Sequence, residues 1–420
     1  MKGLYFLAFL FVLAASSCSV RRFLPPGEKL YKGATVKVEK NPETKGTTRQ
    51  LRNHVRQAVS PRRNKFILGQ PYKVWWWYVI GEPDPDKTER GLRSFLRKKL
   101  GEAPVLRSRI NAAVTAENMQ AFLENTGYFH STVLGDTVNT GYFTKAVYTA
   151  KFQPQYHIKS ITWVSDSSAL LKLLEERQKS GILKAGQPYR LSDISAERDR
   201  LDLYLKTKGY YYFNPDYLMA YADSTVGNRQ VELYLNVKKT APKMAMYPYT
   251  INRIVVFPNY SLASQQLDTS IAGAIQYDKL IIKDSAKKFR PRLFAETITY
   301  RPGSLYSSRA QNSTLNRFIN LGAFKFVKNR YEAVKDSTQH RMNVYYYLTP
   351  AKKRALQGEI SAFTKENSSV GAQLSVNWKN RNLLGGAELL TIKGYTGFEV
   401  SISDSLRNNN SYRIGGEASI

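Results

Sequence analysis

Cys18, the sole cysteine of the 420-residue chain, follows Ala15-Ser16-Ser17 at the end of an apolar run from Leu4 to Ala15, itself preceded by Lys2. A cation, an apolar stretch too short to span a bilayer comfortably, and small residues ahead of a cysteine form the pattern of an export signal with a lipid-acceptor thiol. A lone cysteine also excludes an intrachain disulfide. Two or more acyl chains anchor a protein stably where one does not, at about 0.8 kcal/mol per buried methylene. We therefore expect a signal peptide over 1–17 and an acylated Cys18 with a short tether over 18–30.

Other reactive constellations are missing from the sequence. His54, His130, His157 and His340 are scattered, without the close His/carboxylate spacing of a metal site. Neither a Gly-x-Ser-x-Gly elbow nor a P-loop occurs. The expectation is a protein that is not an enzyme and uses no cofactor or metal. A second group of residues suits binding. Trp75, Trp76 and Trp77 lie within the apolar run Val74–Ile80, and Arg62, Arg63 and Lys65 precede them. Aromatic rings at the headgroup level with cations against phosphate would make an interfacial docking element. The same rings could instead fill the core of an enlarged domain, and the sequence leaves both readings open.

Charge narrows the choice of partner. The chain carries 63 Lys/Arg against 33 Asp/Glu, a net +30, with the excess concentrated between Arg49 and Arg109. Such a balance favours an anionic partner. Export removes nucleic acid from consideration and leaves membrane lipid or an envelope polymer.

The elements that must position these residues repeat three times. A helix ends in glycine and aromatics at Gly127-Tyr128-Phe129, Gly209-Tyr210-Tyr211 and Gly322-Ala323-Phe324, and glycines at 101, 186 and 303 introduce those helices. Repetition of this kind marks an array of similar modules. Glycine lets the chain leave a helix through a left-handed residue, and the aromatic then faces the helix just completed. The second module is clearest. A strand Tyr156–Ile161 leads through Asp166-Ser167-Ser168, a helix cap, into a helix over 169–177. A second helix follows with Ile194, Leu201 and Leu205 on one face, then strands near Tyr211–Ala222 and Gln230–Lys238. The first module begins at Ala34/Val36/Val38. Its helices carry Leu51/Val55/Val59 and Ile110/Val114/Phe122. The third opens with Tyr249–Ile254, which matches Tyr156-x-Ile158-x-x-Ile161, and holds its own insertion before Gly303. After Pro350 apolar Val370, Ala372, Leu374, Val376 and Trp378 alternate with polar or small neighbours over about the length of a tilted membrane strand. Strands Gln357–Thr364 and Gly386–Val400 flank it.

On these residues the chain resembles the BamA/TamA superfamily of outer-membrane assembly proteins, in particular its lipid-anchored, TamL-like branch. The strand-helix-helix-strand-strand unit with its glycine-aromatic ending looks like a POTRA domain. Asn382-Leu383-Leu384-Gly385 looks like the first periplasmic turn of the family's barrel, and Phe23-Leu24-Pro25-Pro26-Gly27-Glu28 after Cys18 is similar to the lipoprotein branch. The resemblance implies an α+β repeat of three POTRA-like β-α-α-β-β modules followed by the first strands of an antiparallel transmembrane β-barrel. The expected bounds are 31–154 with an insertion over 61–100, 155–241, 247–350 with an insertion, and 355–420 for the barrel strands. Family barrels hold more strands than fit after Pro350, so the chain is expected to be a fragment. The implied location is the outer membrane with the modules in the periplasm. The implied role is assembly or translocation of unfolded outer-membrane or secreted clients. The family further implies a TamB-like partner linked to the inner membrane. Clients would add a strand at an exposed sheet edge, with Ile158, Ile161, Ile251 and Ile254 on the candidate edges. Two other classes stay open: a two-partner secretion transporter, and a glycan-binding surface lipoprotein using Trp75–Trp77 as a stacking platform.

Overall fold

The computed structural model describes residues 20–83, 91–164, 168–261, 270–334, 339–365, 369–401 and 411–420. Cys18 and the expected signal peptide lie outside the described residues. The chain forms two compact units. One takes in the residues up to Val164 with 181–197 and 220–236. The other takes in 165–180, 198–219 and everything from Val237 onward.

The first module runs β1 (Leu30–Lys40), α1 (Thr48–Val55), α2 (Tyr72–Ile80), α3 (Leu92–Leu100), α4 (Ala112–Asn125), β2 (Thr132–Thr140) and β3 (Phe143–Phe152). Helix α1 starts in a capping box: Gln50 N donates to Thr47 Oγ1 (3.2 Å) and Thr47 N to Gln50 Oε1 (2.8 Å). Its Leu51 and Val55 are buried one turn apart. Asn111 caps α4, accepting from Val114 N at 3.1 Å, and this start sets which face turns inward. Thr115, Ala116, Met119 and Leu123 are buried, whereas Val114 is exposed and Ile110 precedes the helix. Phe122, the third residue expected in this helix, is half-buried. The sheet order is β1-β3-β2, with β1 parallel to β3 and β2 antiparallel to it. The insertion over 61–100 supplies α2 and α3.

The second module is β4 (His157–Trp163), α5 (Ala169–Lys179), α6 (Leu191–Thr207), β5 (Leu218–Asp223) and β6 (Gln230–Val237), with sheet order β4-β6-β5. Ser168 caps α5 by accepting from Leu171 N (3.3 Å), and Ile194, Leu201 and Leu205 are buried as their spacing predicts. Strand β5 begins later than expected. Residues 215–217 form a short 3-10 turn capped by Asn214, and Pro215 has no N–H to give a ladder there.

The third module is β7 (Thr250–Phe257), β8 (Ile275–Tyr277), β9 (Leu280–Ile282), α7 (Pro291–Thr297), α8 (Ser308–Asn320), β10 (Phe324–Ala333) and β11 (Arg341–Pro350). Its insertion contributes the short hairpin β8–β9, which widens the sheet to five strands in the order β10-β11-β7-β9-β8. The core joins Ile254, Phe294, Phe318, Tyr346 and Leu348. Within it Tyr300 Oη contacts Tyr331 Oη at 2.8 Å and Tyr346 Oη at 2.5 Å.

The tail is a four-stranded antiparallel meander in chain order: β12 (Arg354–Lys365), β13 (Ser369–Asn380), β14 (Leu390–Ser401) and β15 (Ser411–Ser419). Strand β14 starts after the expected Gly386, because Glu388 Oε2 closes the turn by accepting from Leu384 N (3.0 Å) and Gly386 N (3.1 Å). This turn sits on the third module. Arg290 N donates to Gly385 O (2.7 Å), Asn382 Nδ2 donates to Lys288 O (2.8 Å), and Ala387 is buried in the module's core.

Candidate functional site: junctions, edges and an outward apolar sheet

The glycine-aromatic endings are couplings between modules. At the first, Gly127 takes φ +84° and Tyr128 N closes the helix end on Leu123 O (2.9 Å). Gly127 O then accepts from Tyr156 N, the residue that opens the next module, at 2.8 Å. A Cβ on Gly127 would fall 2.7 Å from Tyr189 O. The second junction repeats the first. Gly209 has φ +98°, Tyr210 N reaches Leu205 O (3.2 Å), Gly209 O accepts from Tyr249 N (2.9 Å), and a Cβ would meet Leu305 at 2.8 Å. The third differs: Gly322 (φ +63°) has open space around its Cβ position, and Ala323 O accepts from Ala351 N (2.8 Å).

The aromatic doublet divides its work. Tyr128 packs backward, 5.2 Å from Phe152 and 5.8 Å from His54. Phe129 packs forward, 5.0 Å from Tyr156 and 5.1 Å from Tyr189. At the next junction Tyr211 lies 5.0 Å from both Tyr306 and Tyr331, and Tyr212 Oη accepts from Ala333 N at 3.1 Å. Only the backward contact is expected from the helix-ending pattern. The forward contacts join residues far apart in the chain and leave no local periodicity to find.

The residues after Gly186 and Gly303 explain which edges are free. Gly186 N donates to Ile158 O (2.7 Å), and Ile158 N to Gln187 O (2.9 Å). Gly303 N donates to Ile251 O (2.7 Å), and Ile251 N to Ser304 O (2.8 Å). Ile158 therefore has its edge groups paired and its side chain in the core, and only the Ile161 half of β4 remains on a sheet margin. The edge assignment fails outright for Ile251 and Ile254. Strand β7 is interior, flanked by β11 and β9, and Ile254 pairs with Leu280 of the inserted hairpin. The terminal strands of the module sheets are β1, β2, β4, β5, β10 and the short β8. Strand β2 spans nine residues and exposes Leu134 and Val138.

On helix α2 the three tryptophans differ in exposure. Trp75 joins a cluster with Val20, Leu30, Val74, Phe66 and Phe143. The Trp77 backbone lies where a Cβ on Gly101 would approach it at 3.1 Å. Trp76 is exposed. Trp75 thus contributes to packing, with the Trp76 ring edge-on against it at 5.1 Å and facing solvent. Arg62 and Arg63 are exposed on the loop before α2. His54 is half-buried between Phe122 and Tyr128, 3.0 Å from Thr126 Oγ1, and burial together with Arg190 holds its pKa below the ordinary value. Among the described residues, no group of three or more His, Cys, Asp or Glu side chains is placed to hold a metal.

The tail sheet is apolar on the outside. Leu356 and Ile360 of β12, Leu374 and Val376 of β13, and Tyr412 and Ile414 of β15 are all exposed. They share a face, because Ile360 is opposite Leu374, Trp378 is opposite Leu356 and Ile392, and Phe398 is opposite Tyr412. On the other face Ser375 is only 4% exposed, and Glu399 binds Lys365 (2.6 Å) and lies 3.9 Å from Arg413. Aromatics lie over glycines there: a Cβ on Gly371 would be 2.5 Å from Phe363 and one on Gly415 2.5 Å from Tyr395. A soluble sheet turns its apolar side chains onto a core. This one turns them out, over strands of 12, 12, 12 and nine residues.

No family model matches the chain, and no curated protein matches it. Solved structures do. POTRA domains 3–5 of Haemophilus influenzae BamA align over 78% of this chain and 99% of theirs, at 14% identity and TM-score 0.38. BamA of Haemophilus ducreyi lacking POTRA domains 1–3 aligns over 63% of this chain and 47% of its own, at 13% identity and TM-score 0.35. CdiB from Acinetobacter baumannii aligns over 63% of this chain and 42% of its own, at 9% identity and TM-score 0.28. The module topology is read from this chain's own strand order, and likenesses this remote add no residue roles to it. In structure this chain is similar to the POTRA-bearing proteins of the BamA and Omp85 kind.

Proposed function

We propose that this chain is an outer-membrane assembly or translocation protein whose modules hold client segments in the periplasm and whose tail sheet faces lipid. One observation carries the reading: a sheet of membrane-spanning strand length with its apolar face outward, joined through Asn382–Glu388 to the last of three β-α-α-β-β modules. Lipid can cover such a face where the strands pair with one another, as β13 and β14 do on both sides, while the outer margins of β12 and β15 need further strands to pair with. Clients add to a module margin through backbone hydrogen bonds, which makes few demands on their sequence. Strand β2 suits this best, being a terminal strand of nine residues that carries outward Leu134 and Val138. The driving force for release is burial of the client's apolar face in lipid.

The finer reading is the lipid-anchored, TamL-like branch, with acylation at Cys18 and a TamB-like partner. Its support is the sequence around Cys18. Against the glycan-binding alternative, Trp75 packs onto an apolar cluster and of the three rings only Trp76 is exposed. The two-partner secretion alternative is disfavoured by three modules where two are usual. Photo-crosslinkers placed along β2 should capture unfolded outer-membrane barrel proteins, and crosslinkers at Ile254 should not. Equal capture at both, or none at β2, would remove strand addition at this margin from the account.

A further inference from the structure

The first module contains a cleft that the assembly role does not use. Its volume is about 550 Å³, and its lining includes Lys32, Arg56, Arg62, Arg63 and Lys145 with no carboxylate. None of the five is in an ion pair among the described residues. The cleft exists because β1 is bulged. The β1–β3 register slips between Tyr31 and Ala34, and Gly33 sits in the bulge at φ +111°. A Cβ there would fall 2.9 Å from Arg63 Cδ, so only glycine lets the Arg63 side chain lie across the strand. Bulges of this kind re-aim side chains beside functional sites. Tyr31 lines the floor, and its buried hydroxyl has no hydrogen-bond partner.

Two of the cations rest on aromatic rings, Lys32 on Phe143 at 4.9 Å and Arg63 on Phe66 at 5.7 Å. Those rings belong to the cluster that also buries Val20, two residues after Cys18 in the chain. The same loop ends in a tight turn in which Ile67 and Gln70 exchange backbone hydrogen bonds. At its tip Leu68 is 87% exposed and adopts φ +49°. A branched apolar residue is poorly suited to that conformation and gains nothing there from burial. Helix α3 continues the pattern: it buries Ser94 and Arg97 and exposes Leu92 and Phe95.

We propose that this cleft binds the phosphoryl headgroup of an anionic membrane lipid, with Arg62 and Arg63 as its principal donors and Leu68 entering the acyl region beside it. Guanidinium groups pair phosphoryl oxygens bidentately, and exposed apolar residues rimmed by cations match an anionic lipid surface rather than a free anion. The inference rests on the proposed membrane location but concerns a different surface from the client margin and the tail sheet.

The test titrates the detergent-solubilised full chain with dihexanoyl phosphatidylglycerol, dihexanoyl phosphatidylcholine and inorganic phosphate by calorimetry. Saturable binding of the anionic lipid alone is expected. Arg62→Gln with Arg63→Gln should weaken it roughly 30-fold, from the usual contribution of two cations near a lipid surface. Lys239→Gln with Lys243→Gln makes the same charge change away from the cleft and should leave binding unaltered. Gly33→Ala should weaken binding without any charge change, and the arginine pair carries the test should that variant fail to fold. Equal binding of phosphatidylcholine, equal binding of inorganic phosphate, or an equal loss in the lysine pair would each overturn the proposal. Client capture at β2 would persist in every one of those cases, so the two readings fail separately.

Discussion

Replacing Gly127 by alanine tests whether the glycine-aromatic endings couple modules or merely terminate helices. Two costs apply. At φ +84° an alanine incurs about 1–2 kcal/mol of left-handed backbone strain. Its Cβ would also stand 2.7 Å from Tyr189 O, a backbone atom of the next module. Relieving that contact means shifting the junction, at about 1–3 kcal/mol for an overpacked site. Gly322 supplies the internal control. Its φ is +63° and nothing lies within 4 Å of the Cβ position, so only the first cost applies. Native-state hydrogen exchange reads the difference directly, because the amides of Tyr156 and Tyr189 are both bonded across or beside the junction. A combined cost of about 2 kcal/mol or more corresponds to at least roughly 30-fold faster exchange through local opening. Gly127→Ala should show this at Tyr156 and Tyr189, and Gly322→Ala should leave both amides unchanged. Similar small effects from both variants would refute the coupling and reduce the motif to a helix stop.

Three further outcomes follow from the structure. His54 has its pKa lowered in the folded state, first by burial and then by Arg190. The unfolded chain therefore takes up a proton below pH ~6.5 that the folded module does not, so stability falls as pH drops from that point and levels off below the folded value. His54→Gln should flatten a plot of denaturation midpoint against pH over that window. Tyr212→Phe removes the acceptor of Ala333 N, a half-buried bond, and should cost about 0.5–1.5 kcal/mol, read as faster exchange at Ala333. In the tail sheet Leu374→Arg should cost about 2–4 kcal/mol of bilayer insertion, while Gln373→Arg at a partly exposed position on the opposite face should insert nearly as well. Insertion yield into preformed vesicles distinguishes the two.

The residues that announce the fold are those that act locally. Gly127 and Gly209 mark helix ends because the left-handed conformation is a property of a single residue. The ten-residue alternation around Leu374 marks a strand because side chains flip with period two. Contacts that depend on distant partners left no such trace. Strands β8 and β9 are three residues each, too short for a period, yet β9 pairs with β7 at Ile254, while Gly303 and Ser304 take up the edge groups of Ile251. The tryptophans show the same limit. Three consecutive helical residues point about 100° apart, so a run of rings has no face until the neighbours of α2 are known. Composition located the basic region correctly, but the cleft depends on a bulge at Gly33 that charge counting does not detect.

The central claim is that the tail sheet presents Leu374 and Val376 to lipid and Ser375 away from it. Nitroxide side chains introduced one at a time at 373, 374 and 376 of the membrane-inserted protein measure this by collision with oxygen and with a water-soluble nickel chelate. Oxygen contact is expected at 374 and 376, and nickel contact at 373, which shares the Ser375 face and is partly exposed. Nickel contact at all three positions, or no alternation between neighbours, would contradict it.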